Sequence, residues 1–165
     1  MSSTRTRAER QIAADPTSTA LLLAGPSALE LWPGVRCLGE VGGRVLVEVD
    51  AAVPEATPGT EASSGTEVTP VTGPVTAASV TAQPPLRTPT AFVTRFAWTG
   101  PDLPGTDGVL TLTYVPGEGR PSTWAELVLD STGLESSRLD ADGLARMAQA
   151  FLANLGEAAE SRRAA

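Results

Sequence analysis

The sequence predicts an α+β fold in which a seven-stranded antiparallel sheet is wrapped around one long C-terminal helix, with two short helices after the first strand. Segments that alternate apolar and polar residues are joined by short links rich in glycine and proline, which is typical of antiparallel sheets. A sheet with one apolar face has to cover it, and the amphipathic segment near the C terminus is long enough to do so. Because neither side of the polar middle segment carries enough elements for its own core, residues 1–165 are predicted to form a single domain.

The N-terminal part of the chain predicts a strand followed by a short helix. Residues 4–13 alternate weakly and form the predicted opening strand. Asp15 followed by Pro16 is typical of a helix start, because the aspartate can accept a hydrogen bond from a free N–H group and proline fits the first turn. Gly25 favours the backbone conformation that ends helices, so the helix is expected to end there.

A second short helix and a hairpin come next. Ser27 and Glu30 have the spacing of a capping box at the start of a helix, and Pro33 ends that helix. Two strands are predicted over 35–41 and 44–53, and the Gly-Gly pair between them suits a tight hairpin turn.

The segment 54–67, "PEATPGTEASSGTE", has too few apolar residues to offset the entropy of ordering it, so it predicts a flexible loop. Two interpretations of this loop stay open: a lid over a binding site, or a simple insertion.

The second half of the chain predicts further strands and the long helix. Strands are predicted over 75–82, 91–98, 108–115 and 122–130. Residues 83–90 are expected to form an extended connection whose prolines exclude ladder pairing, and residues 100–108 are expected to form a turn.

Asp140 or Asp142 is predicted to cap the long C-terminal helix. Its apolar stripe has helical spacing and consists of Leu144, Met147, Ala148, Phe151, Leu152 and Leu155. Gly156 ends the stripe, and the tail after it is expected to fray.

Composition excludes several classes of function. The chain has no histidine, which removes histidine-based triads and histidine metal sites, and Cys37 is its one cysteine. The formal net charge is −7, with no basic patch of the kind that binds nucleic acid. The longest apolar run, 20–24, is too short to span a membrane, and residues 1–16 lack the apolar core of a secretory signal. We therefore expect a cytoplasmic protein with no metal, no cofactor and no nucleic-acid partner.

Taken in order, these elements resemble the START-like, or SRPBCC, superfamily, in which an antiparallel sheet grips a long C-terminal helix (the helix-grip fold). The resemblance covers residues 4–155 and is carried by "LWPGVRCLGEV", "FVTRFAW", "GVLTLTYVPGEGRPSTWAELVLD" and "GLARMAQAFLANL". It implies a deep cavity between helix and sheet. Members of the superfamily include polyketide cyclases and aromatases, lipid and hormone carriers, and accessory proteins, and the fold does not choose among them.

The resemblance implies that apolar side chains facing the helix line this cavity and bind a hydrophobic small molecule. The residues on those faces are Trp32, Phe92, Thr94, Phe96, Trp98, Leu112, Tyr114, Met147 and Phe151. Packing in a solid core is the alternative for each of them. Trp32 is expected to be either a wall of the cavity entrance or a plug at the end of the core.

Few residues are candidates for catalysis. Tyr114 is the preferred proton donor. Arg95 alternates away from the face of Phe96, so it is expected to face solvent and pair with Glu126, unless a bulge turns it into the cavity to bind an enolate or a carboxylate. Cys37 has no histidine to activate it and is expected to be inert.

Three functions follow from these features. The first is the binding of a lipid-like or polyketide-like molecule, and the second is a cyclase-like or dehydratase-like enzyme that works by orienting its substrate. The third is an accessory module with a filled interior that recruits a protein partner.

Overall fold

The computed structural model describes residues 3–24, 26–42, 44–50, 75–100, 103–117, 119–132 and 141–164. Within these residues, an antiparallel sheet packs one face against a long C-terminal helix, which confirms the predicted α+β architecture. The predicted loop at 54–67 and the predicted cap Asp140 lie outside the described residues. Among the described residues, no helix is long and apolar enough to cross a membrane.

The sheet and helices have the following bounds. The strands are β1 (Ser3–Ile12), β2 (Val35–Val41), β3 (Arg44–Asp50), β4 (Val75–Ala82), β5 (Leu86–Arg87), β6 (Ala91–Gly100), β7 (Leu103–Val115) and β8 (Ser122–Thr132). The helices are α1 (Pro16–Leu21), a 3-10 helix (Pro26–Leu31) and α2 (Ala141–Ala164). The strands lie in the order β1-β8-β7-β6-β4-β3-β2, and β5 pairs with β6.

The segment 83–90 joins the sheet, so the prediction that its prolines exclude pairing is wrong. Leu86 and Arg87 form β5 and lie opposite Val93 and Phe92 of β6. The prolines on either side remove N–H donors only at their own positions, whereas the two residues of β5 keep theirs. Because β4 also pairs with β6, β4 and β5 lie one after the other along the same side of β6.

The turn between β6 and β7 is shorter than the predicted turn over 100–108. The strands are paired out to Gly100 and Leu103. Residues 103–107 of the predicted turn therefore belong to β7, and Gly108 lies inside this strand, directly opposite Phe96. Since β8 pairs along the same length of β7, ladders on both sides hold this glycine-containing segment as a strand.

The start of α1 agrees with the prediction. Asp15 Oδ2 accepts a hydrogen bond from the backbone N–H of Ser18 at 3.1 Å, and Pro16 stands at the first helical position. The hydroxyl of Thr19 donates to the carbonyl oxygen of Asp15 at 2.9 Å, so the fully buried side chain of Thr19 is also satisfied.

The predicted capping box of the second short helix is wrong. This helix is a 3-10 helix that begins at Pro26, so Ser27 lies inside it and not before it. Glu30 does not reach back to the start of its own helix. Its Oε1 accepts a hydrogen bond from the backbone N–H of Cys37, on β2, at 3.4 Å.

Helix α2 does not fray after Gly156, contrary to the prediction. A Cβ atom at Gly156 would lie 3.0 Å from Arg10 Nε and 3.5 Å from Ile12 Cγ1. This glycine therefore permits a close approach of the helix to β1, where the sequence suggests a helix end. Beyond it, Glu160 Oε1 accepts a hydrogen bond from the backbone N–H of Ala13 at 3.0 Å, which ties the last turns of α2 to the end of β1.

The inner face of the sheet is covered in two parts. The predicted apolar stripe of α2 is buried, whereas Asp142 lies in the first turn of the helix and is not its cap. Helix α2 lies closest to β1, and the 3-10 helix lies beside β2. The candidate site lies where α2 and the 3-10 helix meet over the sheet.

The outer face of the sheet carries ion pairs. Arg7 lies 2.5 Å from carboxylate oxygens of both Glu126 and Glu9, and attraction by Glu126 and then by Glu9 raises the pKa of Arg7. Glu126 is therefore paired with Arg7, and the predicted pair with Arg95 is wrong, because Glu126 lies on β8 and Arg95 lies two strands away on β6. Arg95 is exposed, as simple alternation along β6 predicts.

Candidate functional site

A cavity of about 180 Å³ lies between the 3-10 helix, the middle strands of the sheet and α2. Its walls come from six stretches of the chain between Leu23 and Phe151. They consist of Leu23, Ala24, Ala28, Leu29, Trp32, Glu40, Val45, Ala82, Gln83, Pro84, Thr94, Phe96, Leu110 and Phe151.

The cavity has a buried apolar floor and an exposed rim. The floor residues are all less than a tenth exposed, and they are Ala28, Leu29, Trp32, Thr94, Phe96, Leu110 and Phe151. The rim residues are exposed, and they are Ala24, Glu40, Ala82, Gln83 and Pro84. This arrangement suits an apolar guest that enters from the rim and is desolvated on the floor.

An aromatic cluster centred on Trp32 forms one wall. The Trp32 ring is stacked on Phe151 of α2, with centroids 4.3 Å apart and planes 24° apart. It meets Phe96 and Trp98 of β6 edge-on, at 5.4 Å and 5.5 Å. Trp32 is 4% exposed and also lines the cavity. Trp32 therefore packs in the core against Phe151 and also borders the cavity, on its buried floor.

A turn after Trp32 and hydrogen bonds on both sides of it hold this residue in place. Gly34 has a φ of 73°, a conformation that favours glycine, and it turns the chain from the 3-10 helix into β2. The backbone N–H of Val35 donates to the carbonyl oxygen of Trp32 at 3.2 Å. On the other side, Asn154 Nδ2 of α2 donates to the carbonyl oxygen of Leu31 at 2.7 Å. The 3-10 helix is thus fixed to both the sheet and α2.

The structure brings four of the predicted site residues together and separates the others. Trp32, Thr94, Phe96 and Phe151 line the cavity. The remaining members of the buried set contribute to the core away from the lining, and they are Trp98, Leu112 and Met147.

Tyr114 and Phe92 line a second pocket, beside the start of α1. Tyr114 is 53% exposed, because it is close to the end of β7, where the inner face of the strand meets α1 and not α2. The expected proton donor is therefore outside the cavity. Arg95, the other catalytic candidate, faces the opposite side of the sheet.

Sequence reasoning missed several lining residues. Val45 and Leu110 are on the inward faces of strands whose alternation the sequence shows, so these two were accessible to prediction. Gln83 and Pro84 could not be predicted from the sequence, because their place at the rim depends on how the chain passes from β4 to β5 along β6.

Three of the described residues that line the cavity have polar side chains. Thr94 is on the floor, while Glu40 and Gln83 are at the rim. Cys37 lies outside the lining and is half-buried; burial, and then the negative charge of Glu30, raise the pKa of its thiol. Within the described ranges, no group of three or more acidic, cysteine or histidine side chains is placed to hold a metal ion.

Comparisons with known proteins bear on the fold. No protein-family model and no curated protein matches this chain. A START superfamily protein from Mycobacterium smegmatis is 13% identical, with 96% of this chain and 95% of that chain covered and a TM-score of 0.56. The Zhui aromatase/cyclase from a Streptomyces species is 16% identical, with 98% and 96% covered and a TM-score of 0.54. A conserved protein from Geobacillus kaustophilus is 9% identical, with 96% of each chain covered and a TM-score of 0.59.

These likenesses extend over nearly the whole chain, and at such low identities they bear on the fold alone. The chain has a START-like, helix-grip fold.

Proposed function

We propose that this protein binds a hydrophobic small molecule in the cavity between the sheet and α2. The observation that supports this function is the floor of the cavity, which is buried, built from apolar and aromatic side chains, and reached from an exposed rim. Transfer of an apolar guest from water to such a floor is favourable by about 25 cal/mol per Å² of buried apolar surface.

The size of the cavity restricts the guest. A cavity of roughly 150 Å³ lined by apolar side chains holds one benzene molecule, whereas pockets for drug-sized ligands have about 300–1,000 Å³. At about 180 Å³, this cavity accommodates a single ring with small substituents. A lipid or a polyketide needs more room, so its binding would require lining residues such as Leu23 to move outward.

The position of the catalytic candidates favours binding over catalysis. Tyr114 and Arg95 lie outside the lining. Glu40 is the carboxylate at the cavity, and it is exposed at the rim, where it is solvated. An enzyme of this fold would need an acid or a base within reach of a reacting atom, and among the described residues the buried floor provides one hydroxyl, that of Thr94.

The experiment that tests this function fills the cavity with a side chain. Ala28 is on the floor, so Ala28→Leu should occupy space that the guest needs. Ala97→Leu adds the same atoms on the outer face of β6 and is the matched control. Toluene is the probe, titrated by calorimetry and by tryptophan fluorescence, with circular dichroism to verify the fold.

We expect the wild type and Ala97→Leu to bind toluene at one saturable site and Ala28→Leu to bind it at least about tenfold more weakly. Equal binding by all three folded proteins would mean that toluene binds outside the cavity. No binding by the wild type would refute the proposed function. Native mass spectrometry of protein purified from its own host then identifies any guest that copurifies.

A further inference from the structure

We infer that the guest carries one neutral oxygen, a hydroxyl or a carbonyl, and that Thr94 is the residue that recognises it. This inference rests on the proposed function, because it names the chemical class of the guest in the same cavity. It makes Thr94 a determinant of specificity in a site whose other floor residues select only for apolar surface.

Thr94 is a buried polar side chain whose hydrogen-bonding capacity is unused. It is 8% exposed, and its Oγ1 has no hydrogen-bond partner. The other buried hydroxyls in the described ranges are satisfied. Their hydrogen bonds are Thr19 Oγ1 to Asp15 O at 2.9 Å, Thr123 Oγ1 to Ala14 O at 2.6 Å, and Thr106 Oγ1 with Ser131 Oγ at 2.9 Å.

An unpartnered hydroxyl at a cavity wall favours a guest that forms a hydrogen bond with it. Leaving such a group buried and unsatisfied is unfavourable, and proteins satisfy the great majority of these groups. The neighbours of Thr94 on the floor, including Phe96 and Leu110, are apolar and offer no side-chain partner. A guest with an oxygen beside Thr94 would satisfy the hydroxyl after a rotation about χ1, which exchanges Oγ1 and Cγ2 between staggered positions.

The charges around the cavity indicate that this oxygen is neutral. Glu40 is the charged residue among those lining the cavity, and its negative charge disfavours an anionic guest. Arg95, next to Thr94 in sequence, points to the opposite face of the sheet and cannot pair with a carboxylate on the floor. A buried carboxylate would lose its hydration without a cation to compensate. A hydroxyl such as that of Thr94 both donates and accepts, so it suits an alcohol, a phenol or a ketone.

The test compares two probes of nearly the same shape, phenol and toluene, which differ by a hydroxyl in place of a methyl group. The proteins are the wild type, Thr94→Val, Thr94→Ser and Thr111→Val. Valine removes the hydroxyl and keeps the shape, serine keeps the hydroxyl, and Thr111 is the control because it lies on the outward-facing side of β7. Affinities come from calorimetry, and the stability of each free protein comes from urea unfolding.

In the wild type, Thr94→Ser and Thr111→Val, we expect the ratio of phenol affinity to toluene affinity to exceed the ratio in Thr94→Val by about tenfold. Toluene should bind to Thr94→Val at least as well as to the wild type, and free Thr94→Val should unfold at a higher urea concentration than the wild type. A ratio that is unchanged by Thr94→Val, while toluene still binds, overturns the inference and leaves the proposed function standing. Failure of toluene and phenol to bind any of the four folded proteins overturns both.

Discussion

Gly108 is the position at which a single added carbon should alter the cavity wall most directly. It lies opposite Phe96 in the ladder between β6 and β7, and the Phe96 ring lies over it. A Cβ at Gly108 would stand 2.1 Å from Phe96 Cζ and 2.2 Å from Phe96 Cε2. Ordinary contacts of a Cβ begin near 3.4 Å, so Gly108→Ala requires the ring to move by more than 1 Å.

The size of the effect follows from where the ring can go. Inserting a methyl group into a packed core costs about 1–3 kcal/mol, and replacing a strand glycine by alanine returns roughly 0.5–1 kcal/mol of it. The Phe96 ring is held on one side by the edge of Trp32 and borders the cavity on another. We therefore expect Gly108→Ala to lower the free energy of unfolding by about 1–2 kcal/mol and to weaken toluene binding, because the displaced ring takes up cavity volume.

The assay is urea unfolding followed by tryptophan fluorescence, with toluene titration on the folded proteins. Gly105→Ala is the matched control, since it lies on the same strand and its Cβ would meet only the exposed Thr132 Oγ1, at 3.3 Å. It should be at least as stable as the wild type and bind the probe normally. If Gly108→Ala were as stable as Gly105→Ala and bound toluene equally well, the role of this glycine in seating Phe96 would be refuted.

Three further predictions concern the core, the first helix and the cysteine. Leu110→Ala should lower the free energy of unfolding by about 3–5 kcal/mol in urea unfolding and allow the two-ring probe naphthalene to bind, because Leu110 is 1% exposed and lines the cavity; exclusion of naphthalene from the folded variant would argue against the assigned lining. Asp15→Ala should cost about 1 kcal/mol in the same assay, since it removes the acceptor for the first turn of α1, while Asp15→Asn should retain most of the stability. Burial and Glu30 raise the pKa of the Cys37 thiol, so less thiolate is present at a given pH. Alkylation by iodoacetamide at pH 8 should be slower than for free cysteine and should accelerate in Glu30→Gln; a rate equal to that of free cysteine would contradict the assignment.

The elements that depend on local pattern were predictable from the sequence. Alternation placed Thr94 and Phe96 on the inner face of β6 and Arg95 on the outer face, and the structure confirms both. The helical spacing of the apolar residues in α2 predicted which of them are buried. These patterns are legible because the side-chain periods of strands and helices differ and because each element has one buried face.

Predictions about where elements begin and end were less successful. The short pairing of β5, the start of β7 at Leu103 and the extent of α2 beyond Gly156 all depend on neighbouring elements. Gly156 illustrates the reason: a glycine that ends a helix and one that lets a helix approach a strand look the same in sequence. The contact with Arg10, far away in the chain, decides between them.

The sequence by itself determined the class of fold, the inward faces of its strands and the absence of histidine chemistry. Tertiary structure decided which inward residues share one cavity, because that requires segments from Leu23 to Phe151 to meet in space. It also decided that Tyr114 is exposed and that the hydroxyl of Thr94 lacks a partner. The physical reason is that alternation assigns a side chain to a face, whereas burial and hydrogen bonding depend on what covers that face.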